Sequence, residues 1–286
     1  MQKIRLNRIR NIGDLITGTF VFIRQEFKSL ICCYSVLVLP LVLLDMIFKS
    51  TMLKSALAYG SGEQVGFDSV MGQTMLNYLT TLFLVFWVTL ETISYMRVYY
   101  DRYSAGEESP VSVGDVWRVM LRNLGKMLGW NFLFLMIVIL GCFFLFIPGI
   151  YLFITFSFTS YFLVIKDIPF DSRMFSTSFI QGEWWSTFGF YILLVLIVGV
   201  MSYVFSLPYV VVTMTSLMTG AGENIYLMTF LLLLSSLGQN LLYTITVTGM
   251  GFKFFSILEG QEHTGLYEKI ERLGENNRTV DNEGIR

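Results

Sequence analysis

The strongest constraint on this chain is a series of apolar runs that no soluble fold can absorb. They cover Ser29–Phe48, Met75–Met96, Met127–Ile147, Ile150–Ile165, about 185–217 and about 225–257. A helix needs about 20 mostly apolar residues to cross the hydrocarbon of a bilayer. Inside lipid every backbone N–H and C=O must be paired within the segment, so runs of this kind are read as helices. Composition agrees: 54% of the 286 residues are hydrophobic and 14% are charged, with mean hydropathy +0.62. An ordinary soluble domain carries about 25% charge. The expected fold is therefore all-α and polytopic, with six transmembrane helices. Residues 1–258 form the membrane domain and residues 259–286 a polar cytoplasmic tail.

Pro148-Gly149 separates the third and fourth runs. Proline cannot continue a helix from the preceding turn and glycine relaxes the backbone, so the pair predicts a reversal. Residues 127–165 then either cross twice or form a re-entrant hairpin.

Charge fixes the expected orientation. Of the 20 Lys and Arg residues, 18 fall in the N-terminal segment, the connections 97–126 and 166–184, and the tail, all on one side. Only Lys49 and Lys54 fall on the other. Basic residues accumulate on the cytoplasmic side, which places both termini there. The first 28 residues lack a short apolar core followed by a small-residue cleavage site, so the first run is expected to remain as an anchor. A bacterial inner membrane is the simplest location. A net charge of −1 gives no basis for nucleic-acid binding.

Three amphipathic segments precede the helical hairpins and are expected to lie in the interface on the cytoplasmic side. The first presents Ile12, Leu15, Ile16, Phe20, Ile23 and Phe27 on one face, with Asn11 as N-cap. The second opens with a Ser112/Asp115 capping box and presents Val113, Val116, Trp117, Leu121, Leu124 and Leu128. The third starts near Pro169 and carries Met174, Phe175 and Phe179. Asn11-Ile12-Gly13-Asp14-Leu15 is similar to Ser112-Val113-Gly114-Asp115-Val116, which suggests three helix-plus-hairpin repeats. Trp117, Trp130, Trp184 and Trp185 fit an interfacial aromatic belt.

Three stretches carry a family likeness: Ile12–Phe20 continuing to Val38-Leu39-Pro40-Leu41, Ile147–Leu152, and Gly182–Gly189. In these the chain resembles six-span bacterial membrane proteins related to the membrane domain of glycerophosphodiester phosphodiesterases. The resemblance implies a membrane module without catalysis, since the catalytic barrel of the fused relatives is a separate domain. No phosphodiesterase residue carries over to this sequence.

Chemistry-bearing residues are few. His263 is the single histidine, and Cys32, Cys33 and Cys142 sit in apolar runs without metal-ligand spacing. No catalytic set, metal site or cofactor motif is expected. Ionisable residues inside spans are the default candidates for function. Asp45 and Lys49 are four apart and suit a pair on one helix face. Glu91, in the second span, calls for a partner, and Lys253 near the inner end of the sixth is the candidate. Either a structural ion pair or a proton or ligand contact would satisfy it. Gln239, Asn240, Thr244 and Thr248 could glue helices together or line a polar cavity. Gly125 and Gly129 form a GxxxG that would admit a close neighbour.

The expected function is a non-enzymatic scaffold or accessory module that contacts membrane lipids or a protein partner on the cytoplasmic face. A small lipid or solute transporter using the polar side of span six is the alternative, and a lipid-modifying enzyme the third reading.

Overall fold

The computed structural model describes residues 4–60, 66–107, 109–144, 146–167, 178–219 and 225–262. Among these every element is helical: α1 (Ile12–Leu37), α2 (Leu39–Gly60), α3 (Phe67–Ser104), α4 (Val113–Phe144), α5 (Phe146–Phe156), α6 (Thr159–Ile165), α7 (Trp184–Thr219) and α8 (Ile225–Glu262). Five segments are long and apolar enough to span a bilayer, or six if the bent pair α1–α2 counts as one span. Apolar side chains face outward along them. Phe132 and Phe143 on α4 and Val200 and Val204 on α7 are two-thirds or more exposed. A water-soluble exterior would not present so continuous an apolar surface.

The first span departs from the sequence expectation. The lead-in and the start of the run form one continuous helix, α1, and the chain breaks at Val38, where α2 leaves at 53°. Pro40 is the cause. It lies in the first turn of α2, where its missing N–H costs nothing, but it cannot continue the hydrogen-bond ladder of α1. The N–H of Leu41 bonds back to Val38 O at 3.0 Å, which releases the carbonyl of Leu37. The indole N–H of Trp87 on α3 takes that carbonyl at 2.8 Å.

The second lead-in is likewise continuous with the third span in α4. Its stripe divides: Val116 is buried and Val113 and Leu124 pack on the core, while Trp117, Leu121 and Leu128 are exposed. The first stripe divides too, with Leu15 buried and Ile12 and Phe27 exposed. Asn11 caps α1 through its backbone conformation alone, with no side-chain bond. In the second cap the Ser112 carbonyl opens the helix, but the Asp115 carboxylate turns to Arg102 at 2.5 Å. The start of the third lead-in, the segment 266–273 and His263 lie outside the described residues.

The α4–α5 reversal falls between Phe144 and Phe146, so Pro148 sits in the first turn of α5 and not at the break. A tight hairpin explains the glycine beside it. A Cβ on Gly149 would lie 2.9 Å from the backbone nitrogen of Cys142, and one on Gly141 would lie 3.0 Å from Gly149 Cα. The expected GxxxG contact is not made at Gly125, whose Cβ position is open. Close approach occurs instead at Gly238 against Phe205 and at Gly251 against Met96.

The core lies toward the end of the bundle where α1 begins and α3 and α8 finish, and is largely aromatic. Phe22, Tyr99 and Phe252 meet edge to face across α1, α3 and α8. Phe162, Phe179 and Phe254 form a second such group under α6. Trp130 is buried here against Phe156 and does not join an interfacial belt, whereas Trp185 is exposed. Cys33 is buried, but Cys32 and Cys142 lie on the outer, apolar surface. Residues 4–10 strap this end: Tyr99 donates to Ile4 O at 2.9 Å, and the Arg10 N–H donates to Ser256 Oγ at 3.0 Å. The Arg10 guanidinium bonds Leu6 O and lies 5.0 Å above the Phe252 ring. Burial, helped by Arg8, lowers its pKa to about 10, so it remains charged at neutral pH.

Candidate functional site

Two regions could support function: the buried ionisable groups and a cavity between helices. Of the ionisable groups, Asp45 and Lys49 are placed as expected. Lys49 Nζ lies 2.7 Å from Asp45 Oδ2, one turn away on α2, and also donates to Ser236 Oγ on α8 at 3.3 Å. The pair thus ties α2 to α8 as well as neutralising itself.

Glu91 and Lys253 are not partners. α3 and α8 run in the same direction, with Thr89 beside Tyr243 (3.3 Å between hydroxyls) and Met96 beside Gly251. That register sets Lys253 seven or eight residues further toward the C-terminal ends of the two helices than Glu91, an axial offset of about 10–12 Å at 1.5 Å per residue. Lys253 instead donates to Glu183 Oε2 and Ser186 Oγ, both at 2.9 Å. Glu183 was not among the sequence candidates, although it stands three residues before Ser186 at the start of α7. Its carbonyl receives the Thr187 N–H, so it caps that helix while its carboxylate holds a buried ammonium. A carboxylate there also meets the positive end of the helix.

Glu91 is 1% exposed. Its Oε2 accepts a 3.3 Å bond from Thr92, and its Oε1 has no hydrogen-bond partner among the described residues.

The amide side chains of span six serve their own helix. Gln239 donates to Ser235 Oγ and Asn240 to Ser236 O. Thr244 and Thr248 are buried, and their hydroxyls are unpartnered among the described residues. None of these four lines the cavity. The face of α8 that does carries Tyr243, Thr246, Val247 and Met250. Helical periodicity explains the difference, since at about 100° per residue Thr244 and Thr248 stand roughly a quarter-turn or more from the middle of that face.

The cavity has a volume of about 660 Å³. Its walls come from α3 (Leu79 to Thr89), α4 (Leu128 to Val138), α5, α6, Tyr191 of α7, and α8. The rim residues Leu79, Leu82, Phe132 and Leu135 are exposed, so the cavity opens sideways onto the apolar exterior between α3 and α4. Several of its polar side chains bond within the wall, though among the described residues the hydroxyls of Ser160, Tyr191 and Thr246 do not. Thr89 bonds Val85 O at 2.7 Å, Asn131 bonds Met127 O at 2.9 Å, Ser157 bonds Ile154 O at 2.8 Å and Tyr161 bonds Val247 O at 2.7 Å. What remains facing inward is chiefly hydrocarbon and aromatic surface. Sequence reading missed this site because its residues are mostly ordinary apolar positions scattered over six helices, α3 to α8.

Just beyond the end of α6, Asp167 gathers Lys126 at 2.7 Å and Arg122 at 3.7 Å. The Lys126 hydrogen bond is the main reason its carboxyl pKa is held below the usual value, against a smaller opposing effect of burial. This joins α4 to the end of α6.

The chain matches no family model, no curated protein and no solved structure.

Proposed function

We propose that this chain is a non-enzymatic multi-pass membrane module whose bundle holds a single lipid acyl chain in the cavity between α3, α4, α5–α6 and α8. The observation that carries this reading is the state of the cavity's polar groups. Thr89, Asn131, Ser157 and Tyr161 bond inside the wall, and apart from the hydroxyls of Ser160, Tyr191 and Thr246 the lining is hydrocarbon and aromatic, so a polar solute would find few free partners and lose its hydration. An alkyl chain loses nothing by entering and gains dispersion contacts. The lateral mouth between α3 and α4 opens where acyl chains are the surrounding molecules.

The distribution of basic residues supports a cytoplasmic location for both termini, and a bacterial inner membrane remains the simplest setting. The likeness to the membrane domain of glycerophosphodiester phosphodiesterases is compatible with a module that acts beside lipid chemistry without performing it.

The test is native mass spectrometry of protein released from nanodiscs. The expected result is one retained lipid on the unmodified chain. Filling the cavity with Thr246→Trp, or separately with Ser160→Phe, should abolish retention in a variant that still elutes as folded protein. Equal retention by both filled variants would refute the assignment.

A further inference from the structure

We propose that Glu91 is a membrane-embedded proton-binding site, carrying its proton as a neutral carboxylic acid buried within the helix bundle. Glu91 is almost fully buried, and an ionised carboxylate in such a place needs a cation or several donors. Among the described residues it has neither: its only hydrogen bond is the 3.3 Å contact from Thr92, and Oε1 is unpartnered. The hydroxyl of Tyr34 on α1 is likewise buried without a partner among them. A neutral carboxylic acid leaves no charge at Glu91 that a cation would have to balance.

The surrounding ionisable groups leave Glu91 alone with its proton. On α1, Cys33 is buried and the Tyr34 hydroxyl unpartnered among the described residues, while Glu26 is taken by Tyr95 at 2.8 Å. On α8, Tyr243 bonds Thr89 and Lys253 bonds Glu183. On α2, Asp45 and Lys49 pair with each other. The basic residues of α4 are drawn to Asp115 and Asp167, and Tyr161 of α6 bonds Val247 O. Position adds consequence. Glu91 stands one turn from Trp87, which holds the carbonyl freed at the α1–α2 break, and Tyr34 stands one turn from Val38 at that break. Loss of the proton places a bare charge beside the hinge of the first span.

The experiment uses the whole protein in phosphatidylcholine nanodiscs and the apolar reagent N,N′-dicyclohexylcarbodiimide. A protonated buried carboxyl adds across one C=N bond of the reagent and rearranges to a stable N-acylurea, with no leaving group, which peptide mass spectrometry locates. The expected adduct is at Glu91 at about pH 6, exceeding any on the paired carboxylates Asp45 and Glu183 by about tenfold. It should fall at least about threefold by about pH 9.5 as the acid form is titrated away. No adduct at Glu91, or one indifferent to pH, would overturn the proposal. Suppression by sodium at constant pH would also overturn it, because the site would then be a sodium site. Glu91→Gln, a neutral isostere, should keep the unfolding midpoint of the native chain. Loss of folded protein on that change would show that the fold depends on the ionised form, and would overturn the proposal too.

Discussion

The Trp87 indole stands 2.8 Å from the carbonyl of Leu37, across fifty residues of sequence, and closes the one broken span of the bundle. Pro40 forces the break, the backbone shift to Val38 frees the carbonyl, and α3 supplies the donor. A carbonyl left bare in hydrocarbon costs several kcal/mol in principle, so one side chain on a neighbouring helix secures a bend that sequence-local forces cannot.

Trp87→Phe keeps the ring and removes the donor. The expected loss of stability is about 1–3 kcal/mol, the cost of leaving a buried acceptor unpaired. Reversible unfolding in mixed micelles would measure it. A variant as stable as the parent would mean that the Leu37 carbonyl finds another donor at no cost.

Glycine substitutions should divide by position. Gly149→Ala puts a methyl 2.9 Å from the Cys142 backbone, and Gly238→Ala puts one 2.4 Å from the rigid ring of Phe205. Both should lower the thermal midpoint and the yield of folded protein. Gly125→Ala meets nothing within 4 Å and should be neutral or gain up to about 1 kcal/mol from helix propensity. Thermal unfolding of the three variants side by side reads the order directly.

The Lys253–Glu183 pair is asymmetric, with the ammonium buried and the carboxylate half exposed. Glu183→Gln should therefore destabilise, by about 1–3 kcal/mol, because it strands a charge inside. Lys253→Met on top of it should restore most of the loss, since an apolar chain of similar length needs no partner. The double-mutant cycle settles the matter. Additive losses would show that the two side chains do not act as a pair.

Asp167 should give the protein an acid-sensitive connection between α4 and α6. Its folded pKa is lowered, chiefly by the hydrogen bond from Lys126, so the stabilisation is present above the unfolded aspartate value of about 4 and is lost as pH falls through the folded value. The group is over a third exposed, and the effect is correspondingly small. Thermal midpoints followed from about pH 6 down to about pH 3 should decline less in Asp167→Asn than in the parent. Asparagine also tolerates the positive φ of this position. Parallel curves for the two proteins would remove Asp167 from the acid response.

Helical class and apolar runs were legible because hydropathy is a local property, summed along one segment at a time. The same holds for the Asp45–Lys49 pair, which needs only the period of a single helix. Glu91 was legible as an anomaly, an acid in an apolar run, but its relation to Lys253 was not. That pairing required the register between α3 and α8, set by Thr89 with Tyr243 and Met96 with Gly251. Glu183 escaped notice because it sits in a short connection, where an exposed glutamate is unremarkable until a lysine from another helix reaches it. Trp130 looked like an interfacial tryptophan and is buried, since its helix turns that face toward Phe156.

By itself, then, the sequence determined that the chain is helical, that it carries five or six apolar segments able to span a bilayer, and that nearly all its basic residues collect in one set of connections. Those properties are additive over neighbours in the chain. Only the tertiary structure decided where the first span breaks, which cation meets which carboxylate, and that largely apolar faces of α3 to α8 enclose a cavity. Each of these depends on the rotation and axial offset of helices distant in sequence, and a shift of one residue turns a helical side chain by about 100°.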